Sequence, residues 1–214
     1  MDVLIFVLEI IGSIAFAASG AMTGIQKNMD VFGVSILGLT TAVGGGVIRD
    51  LILGITPPKT FQDPIYASIA IITSILLFFI ARRGHFKRTH FLLDISLLIM
   101  DTLGLGAFTV TGIAAAFELS GVHNGFLLCF VGVITGVGGG ILRDILASNT
   151  PYIFVKHIYA SASLLGALVC VWMWPWTGDT WAMLAGMLVV ILLRFLSAHF
   201  RWNLPKAQEG RSSH

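Results

Sequence analysis

Seven apolar runs, each near the length needed to cross a bilayer, take up almost the whole 214-residue chain. They fall at about 3–25, 31–55, 64–81, 91–117, 121–147, 154–174 and 180–198. About 20 apolar residues in a helix span the hydrocarbon core. Lipid offers the backbone no hydrogen-bond partner, so an open chain must cross as helices. A barrel would need alternating strands of about ten residues, and the run from Ile69 to Ile80 does not alternate. The expected fold class is therefore an all-α integral membrane protein with seven transmembrane helices. Composition agrees: 56% of residues are hydrophobic and 11% charged, against about 25% charged in a soluble domain, and mean hydropathy is +0.90. That excludes a soluble enzyme, a disordered chain and a nucleic-acid binder. A net charge of +2 implies no polyanionic partner. Cys129 and Cys170 sit in apolar runs without metal-ligand spacing, so neither metal nor cofactor is expected. Met1-Asp2 lacks a basic leader region, and the first apolar run is read as a permanent helix.

Basic residues set the expected orientation. Arg82, Arg83, Lys87 and Arg88 cluster between the third and fourth runs. Lys27, Lys156, Arg194, Arg201, Lys206 and Arg211 fall on the same side in a seven-span topology, with only Lys59 opposite. The basic side and the C-terminus are assigned to the cytoplasm of a bacterial inner membrane, and the N-terminus to the outside. Trp172, Trp174, Trp176 and Trp181 surround the last junction as an interfacial aromatic belt.

The chain also repeats itself. Gly44-Gly45-Gly46-Val-Ile-Arg49-Asp50 recurs 94 residues later as Gly138-Gly139-Gly140-Ile-Leu-Arg143-Asp144. Thr56-Pro57 matches Thr150-Pro151, and Tyr66-Ala67-Ser68 matches Tyr159-Ala160-Ser161. Upstream, Glu9 pairs with Asp101, Gly12 with Gly104, Ala15-Phe16 with Ala107-Phe108, and Gly20 with Gly112, at an offset of 92. Each copy holds three runs. Three is odd, so the second copy enters the membrane upside down. The expected organisation is a first three-helix repeat with a basic loop (1–90), an inverted second repeat (91–177), a seventh helix (178–199) and a polar tail (200–214). Inverted repeats place the permeant site near the midplane, between the halves.

Three glycines in a row weaken a helix by about 1 kcal/mol each relative to alanine. Gly44–Gly46 and Gly138–Gly140 are read as places where the helix opens and offers carbonyl oxygens to a partly dehydrated cation. An Arg or Asp at a membrane-helix centre costs about 2.5–3.5 kcal/mol or more, so Arg49, Asp50, Arg143 and Asp144 must face protein or water. Neighbours in a helix do not face each other. A crossed pairing is expected, Arg49 with Asp144 and Arg143 with Asp50. The plainer alternative is that the glycines only permit close packing and the ion pairs only lock the halves. Thr41 and Thr135, one turn before the glycines, either line a path or bond their own helix. Glu9 and Asp101 are candidates for the pore mouths. The glycine runs lack the Lys-Ser/Thr of a nucleotide-binding loop, and no nucleophile–base pair for an enzyme is evident.

These runs, the repeat and the doubled Gly-Gly-Gly-x-x-Arg-Asp resemble the prokaryotic trimeric intracellular cation (TRIC) channels, a family also labelled glycine-transporter-like, from Glu9 to about Ala198. The resemblance implies a homotrimer in membrane lipid with one pore per subunit. It implies permeation of monovalent cations, K⁺ over Na⁺ with modest selectivity, and kinked second and fifth helices carrying the glycine runs. The Lys-Glu-Val lipid motif of animal members and the Thr-Val-Gly-Tyr-Gly filter of potassium channels are absent. Two further readings stand beside the channel: a secondary transporter for a small amino acid such as glycine, and a membrane protein with no permeant.

Overall fold

The computed structural model describes residues 2–83, 90–120, 124–155 and 158–200. The basic loop at 84–89, Lys156, His157 and the tail from Arg201 fall outside them. The described residues form eight helices: α1 (Asp2–Gln26), α2 (Val31–Ile52), α3 (Lys59–Gln62), α4 (Ile65–Arg82), α5 (His90–Ser120), α6 (Gly125–Leu146), α7 (Tyr152–Val155) and α8 (Ala160–Phe200). Six are long and apolar enough to cross a membrane.

The last helix runs through both of the last two expected spans. A straight rod of its 41 residues would measure about 60 Å, roughly twice the hydrocarbon thickness. The backbone leaves helical geometry at Gly178 (φ 80°, ψ 173°), three residues after Pro175. Proline removes an amide donor and crowds the preceding turn, and glycine adopts the positive φ without a Cβ clash. The stretch is thus divided into two pieces, each about the length of one crossing. Around the break Trp172, Trp176 and Trp181 are exposed, while Trp174 stacks on Phe117 at 4.3 Å.

The long helices pack in two matching groups. α1 contacts α2 and α4, and α5 contacts α6 and α8; α1 meets α5 and α2 meets α6 between the groups. Fully 78% of the most apolar window of α5 is buried, against 11% for α4. α5 is therefore the centre of the bundle and α4 an outer wall. Large apolar side chains such as Phe32, Phe126 and Trp172 point outward, as a lipid-facing surface requires.

α2 and α6 cross at the glycines. The two helices stay regular through Gly44–Gly46 and Gly138–Gly140, so the expected unwinding is not what the glycines do. They remove the side chains that would hold the helices apart. A methyl group on Gly45 would overlap the Thr135 carbonyl oxygen, one on Gly139 would overlap that of Thr41, and one on Gly138 would lie 3.2 Å from the Gly45 Cα. Each carbonyl stays in its own ladder and also receives the facing glycine Cα, a contact seen at close helix interfaces. The hydroxyls of Thr41 and Thr135 donate to Leu37 O and Val131 O, both at 2.6 Å. Both threonines are buried at the crossing.

Two substitutions separate packing from helix propensity. Gly45→Ala must push the Thr135 backbone aside, an overpacking that costs about 1–3 kcal/mol or more. Gly46 has open space, its nearest neighbour being Arg49 Nη2 at 3.8 Å, and alanine there gains helix propensity, up to about 1 kcal/mol. Thermal scanning by size-exclusion chromatography should show a lowered midpoint for G45A and an unchanged or raised one for G46A.

Candidate functional site

Both Arg-Asp pairs lie in the last turn of their helices, where a cation complements the helix dipole. In the first, Arg49 Nε donates to Asp50 Oδ1 at 2.8 Å. Asp50 Oδ2 accepts from the Lys59 backbone amide at 2.8 Å, which ties the end of α2 to α3 across the loop. Arg49 Nη1 reaches Glu9 Oε1 of α1 at 3.5 Å. In the second, Arg143 Nε donates to Asp144 Oδ1 at 2.8 Å, and Asp144 Oδ2 accepts from the Tyr152 amide at 2.9 Å, at the start of α7. Arg143 Nη1 donates to Asp101 Oδ1 at 2.6 Å and to Ser19 Oγ at 2.5 Å.

The crossed pairing is therefore overturned. α2 and α6 run antiparallel through the crossing, so their Arg-Asp ends point opposite ways, about 15 Å apart at 1.5 Å per residue. Each arginine instead folds back along its own helix end. Its flexible stem lets Nε meet the next residue's carboxylate even though the two Cβ atoms diverge. The remaining guanidinium then turns inward to the acid on α1 or α5. Glu9 and Asp101 are thus brought into the clusters, while the six glycines stand one turn away at the crossing.

The clusters share connectivity and differ in state. Around Arg143 the set is tight and buried: side-chain exposures are 1% for Arg143, 0% for Asp101 and 2% for Asp144. A second guanidinium, Arg194 of α8, lies 3.7 Å from Asp101 Oδ2 and over the Tyr159 ring at 4.9 Å. Two arginines against two aspartates leave that cluster formally neutral. Around Arg49 the contact to Glu9 is long, Glu9 is 19% exposed, and one arginine faces two carboxylates, a formal charge of −1.

The Arg49 side is also open. A cavity of about 50 Å³ is lined by Glu9, Ser13, Val43, Gly46, Arg49 and Tyr66, with Phe108 at its wall. A larger vestibule of about 340 Å³ shares Glu9, Lys59 and Tyr66 with it and adds Asp63, Thr111 and Glu118. Its three acids face one lysine. Phe108 packs on Phe16 with ring centroids 5.3 Å apart, and Phe16 is fully buried.

Several of these residues were not assigned a role from sequence. Tyr66 and Tyr159 are visible as a repeat match, which was their available signal. Arg194, counted among the basic residues of one side, is 3% exposed. Ser19 had no signal beyond its place among small residues. Among the described residues no group of His, Cys, Asp and Glu is arranged to hold a metal ion.

The difference in burial predicts unequal costs. Arg143→Gln leaves two buried carboxylates, Asp101 and Asp144, with only the more distant Arg194 beside Asp101, a loss of about 3–5 kcal/mol. Arg49→Gln, beside the part-exposed Glu9, costs less. The recovered monodisperse fraction after heating should fall much further for R143Q than for R49Q.

The family model described as Glycine transporter matches residues 6–82 and 98–175, two segments that start 92 residues apart, as Glu9 and Asp101 do. The chain is 37% identical over 204 residues to the UPF0126 inner membrane protein YadS of Escherichia coli K12, covering 94% of each chain. Among solved structures it is similar to a prokaryotic TRIC channel crystallised in 0.5 M KCl, at 32% identity and TM-score 0.87, covering 95% of this chain and 100% of that one. It is also similar to the TRIC trimeric intracellular cation channel orthologue from Rhodobacter sphaeroides, at 33% identity and TM-score 0.84, covering 92% and 98%. With both copies of the motif inside the matched segments, the chain belongs to the UPF0126 membrane proteins of the Glycine transporter family, whose fold is that of the prokaryotic TRIC channels.

Proposed function

We propose that this protein is a monovalent-cation channel, permeable to potassium, with a pore in each subunit of a homotrimer. The observation that carries the reading is the acid-rich vestibule leading past Glu9 to the cavity beside Gly46. Its likeness to solved TRIC cation channels over nearly the whole chain supports it. An arginine inside a cation path would repel its permeant, but Arg49 is held between Asp50 and Glu9, and with the vestibule acids Asp63 and Glu118 the carboxylates outnumber Arg49 and Lys59. An ion would enter from the vestibule, exchange hydration water for Glu9, Tyr66 and Ser13 oxygens, and pass the glycine crossing near Gly44–Gly46 and Gly138–Gly140. It would leave past Asp101, Arg143 and Asp144. A hydrated route of this kind selects weakly among alkali cations, since no ring of carbonyls replaces the full hydration shell.

The finer architecture belongs to the same proposal. The chain makes seven crossings, the last two within α8 on either side of Gly178, as two inverted three-helix repeats plus a seventh helix. Residues 1–90 and 91–177 are the repeats, 178–199 the added helix and 200–214 a cytoplasmic tail. The N-terminus lies outside a bacterial inner membrane and the vestibule opens to that side.

A second reading has one observation in its favour. Arg49 and Glu9 share the cavity at the long separation of 3.5 Å, opposite charges that suit the two ends of a small zwitterion such as glycine. Current without substrate separates the two. Purified protein in a planar bilayer with asymmetric KCl should give unitary steps reversing on the cation side. A silent bilayer with folded protein, together with saturable glycine uptake, would replace the channel by a carrier. If Glu9 draws cations electrostatically, Glu9→Gln should cut conductance by about half at ~0.05 M salt. The effect should fade near ~1 M, where the Debye length is about 3 Å.

A further inference from the structure

The positions that enclose the cavity near Arg49 have counterparts near Arg143, and there they form solid core. Ser13 corresponds to Leu105, Val43 to Val137, Gly46 to Gly140 and Tyr66 to Tyr159. In the first half Ser13, Val43, Gly46 and Tyr66 line open space. In the second, Leu105, Val137 and Tyr159 are buried at 0%, 1% and 1% exposure and pack in one apolar cluster with Val190 of α8. The Tyr159 hydroxyl stands where a methyl group on Gly140 would be 2.6 Å away and finds no hydrogen-bond partner. On the Gly46 side the corresponding space is empty but for Arg49.

Of these four positions, Val, Gly and Tyr are the same in both halves. Serine against leucine is the one change. Leucine carries two more side-chain heavy atoms than serine and no hydroxyl to hold water. An orphaned tyrosine hydroxyl inside an apolar cluster is costly and would be satisfied by water if the space opened.

We propose that the Arg143 half contains a second, latent cavity for a partly hydrated monovalent cation, and that Leu105 is the plug that keeps it dry. Opening requires Leu105 and Tyr159 to separate, which admits water to the Tyr159 hydroxyl and to Arg143 Nη2, which also lacks a hydrogen-bond partner although the guanidinium lies over the Tyr152 ring. A short apolar constriction of this kind blocks ions by excluding water. As a route for ions the inference rests on the channel reading. As a statement about the cavity it is independent of it.

The test exchanges the two residues. Full-length protein in which Cys129 and Cys170, both free and buried, are replaced by alanine receives Val43→Cys or Val137→Cys. Silver ion, a monovalent cation that reacts with thiolate, serves as the probe in proteoliposomes. The expected result is fast reaction at V43C and slow reaction at V137C. Adding Leu105→Ser should speed V137C by about tenfold or more, and adding Ser13→Leu should slow V43C by a similar factor, as hydration of each site changes. Potassium flux should rise severalfold in L105S and fall in S13L. Equal silver rates at the two cysteines in the parent protein, or rates unmoved by the exchange, would overturn the proposal. So would altered silver rates with potassium flux unchanged from a conducting parent. Absent flux in every form, with silver rates shifting as expected, would remove the channel reading and keep the latent cavity. If L105S does not fold, the milder Leu105→Ala takes its place in the V137C protein, with the same expected gain in silver rate.

Discussion

Backbone-to-backbone contact between α2 and α6 sets the geometry of everything around it. Glycine on one helix receives a threonine carbonyl from the other, at two places related by the 94-residue offset. In lipid there is no hydrophobic drive to bring two apolar helices together, and close packing of small residues does that work. Once the helices are this near, their last turns diverge in opposite directions from the crossing. Each carries an Arg-Asp pair away from the other, toward the acid waiting on α1 or α5. The two charged clusters are therefore separate centres, and the Phe16–Phe108 contact lies in the apolar layer of α1 and α5 between them.

The aspartates then do more than balance charge. Asp50 and Asp144 each spend one oxygen on an arginine and the other on the backbone amide that begins the next short helix. Such a carboxylate is satisfied on both sides, which is how a buried charge is tolerated. It also couples the position of α3 or α7 to the guanidinium, so a movement of either arginine would be felt in the loop that roofs its half.

Most of the fold was legible in the sequence because membrane burial writes itself in long apolar runs and the repeat in identical motifs. The two Arg-Asp pairs and the acids Glu9 and Asp101 could be named from the repeat; Arg194 and Ser19 could not. Nor could the pairing. The rule that adjacent helical residues diverge holds for Cβ atoms, and it was applied to arginine, whose Nε lies far enough out to turn back. The glycines misled for a related reason: low helix propensity reports what a helix would do alone, whereas here a neighbouring helix holds each run in place. The break in the last helix, at Pro175 and Gly178, falls in the gap between the last two apolar runs. Arg194 lies near the end of an apolar run, and nothing local marked it as turning inward to Asp101.

That inward turn has a consequence for a molecule made of two like halves. If the halves were equivalent, the state with one open and the other shut would have a mirror twin of equal energy, and the protein would be poised between them. Arg194 arises after Gly178, beyond the duplicated part, and it lies against Asp101, Tyr159 and the Ile158 carbonyl, all on the Arg143 side. One extra guanidinium on one side, supplied from outside the duplicated part, adds to the inequality that Ser13 and Leu105 already set between the halves.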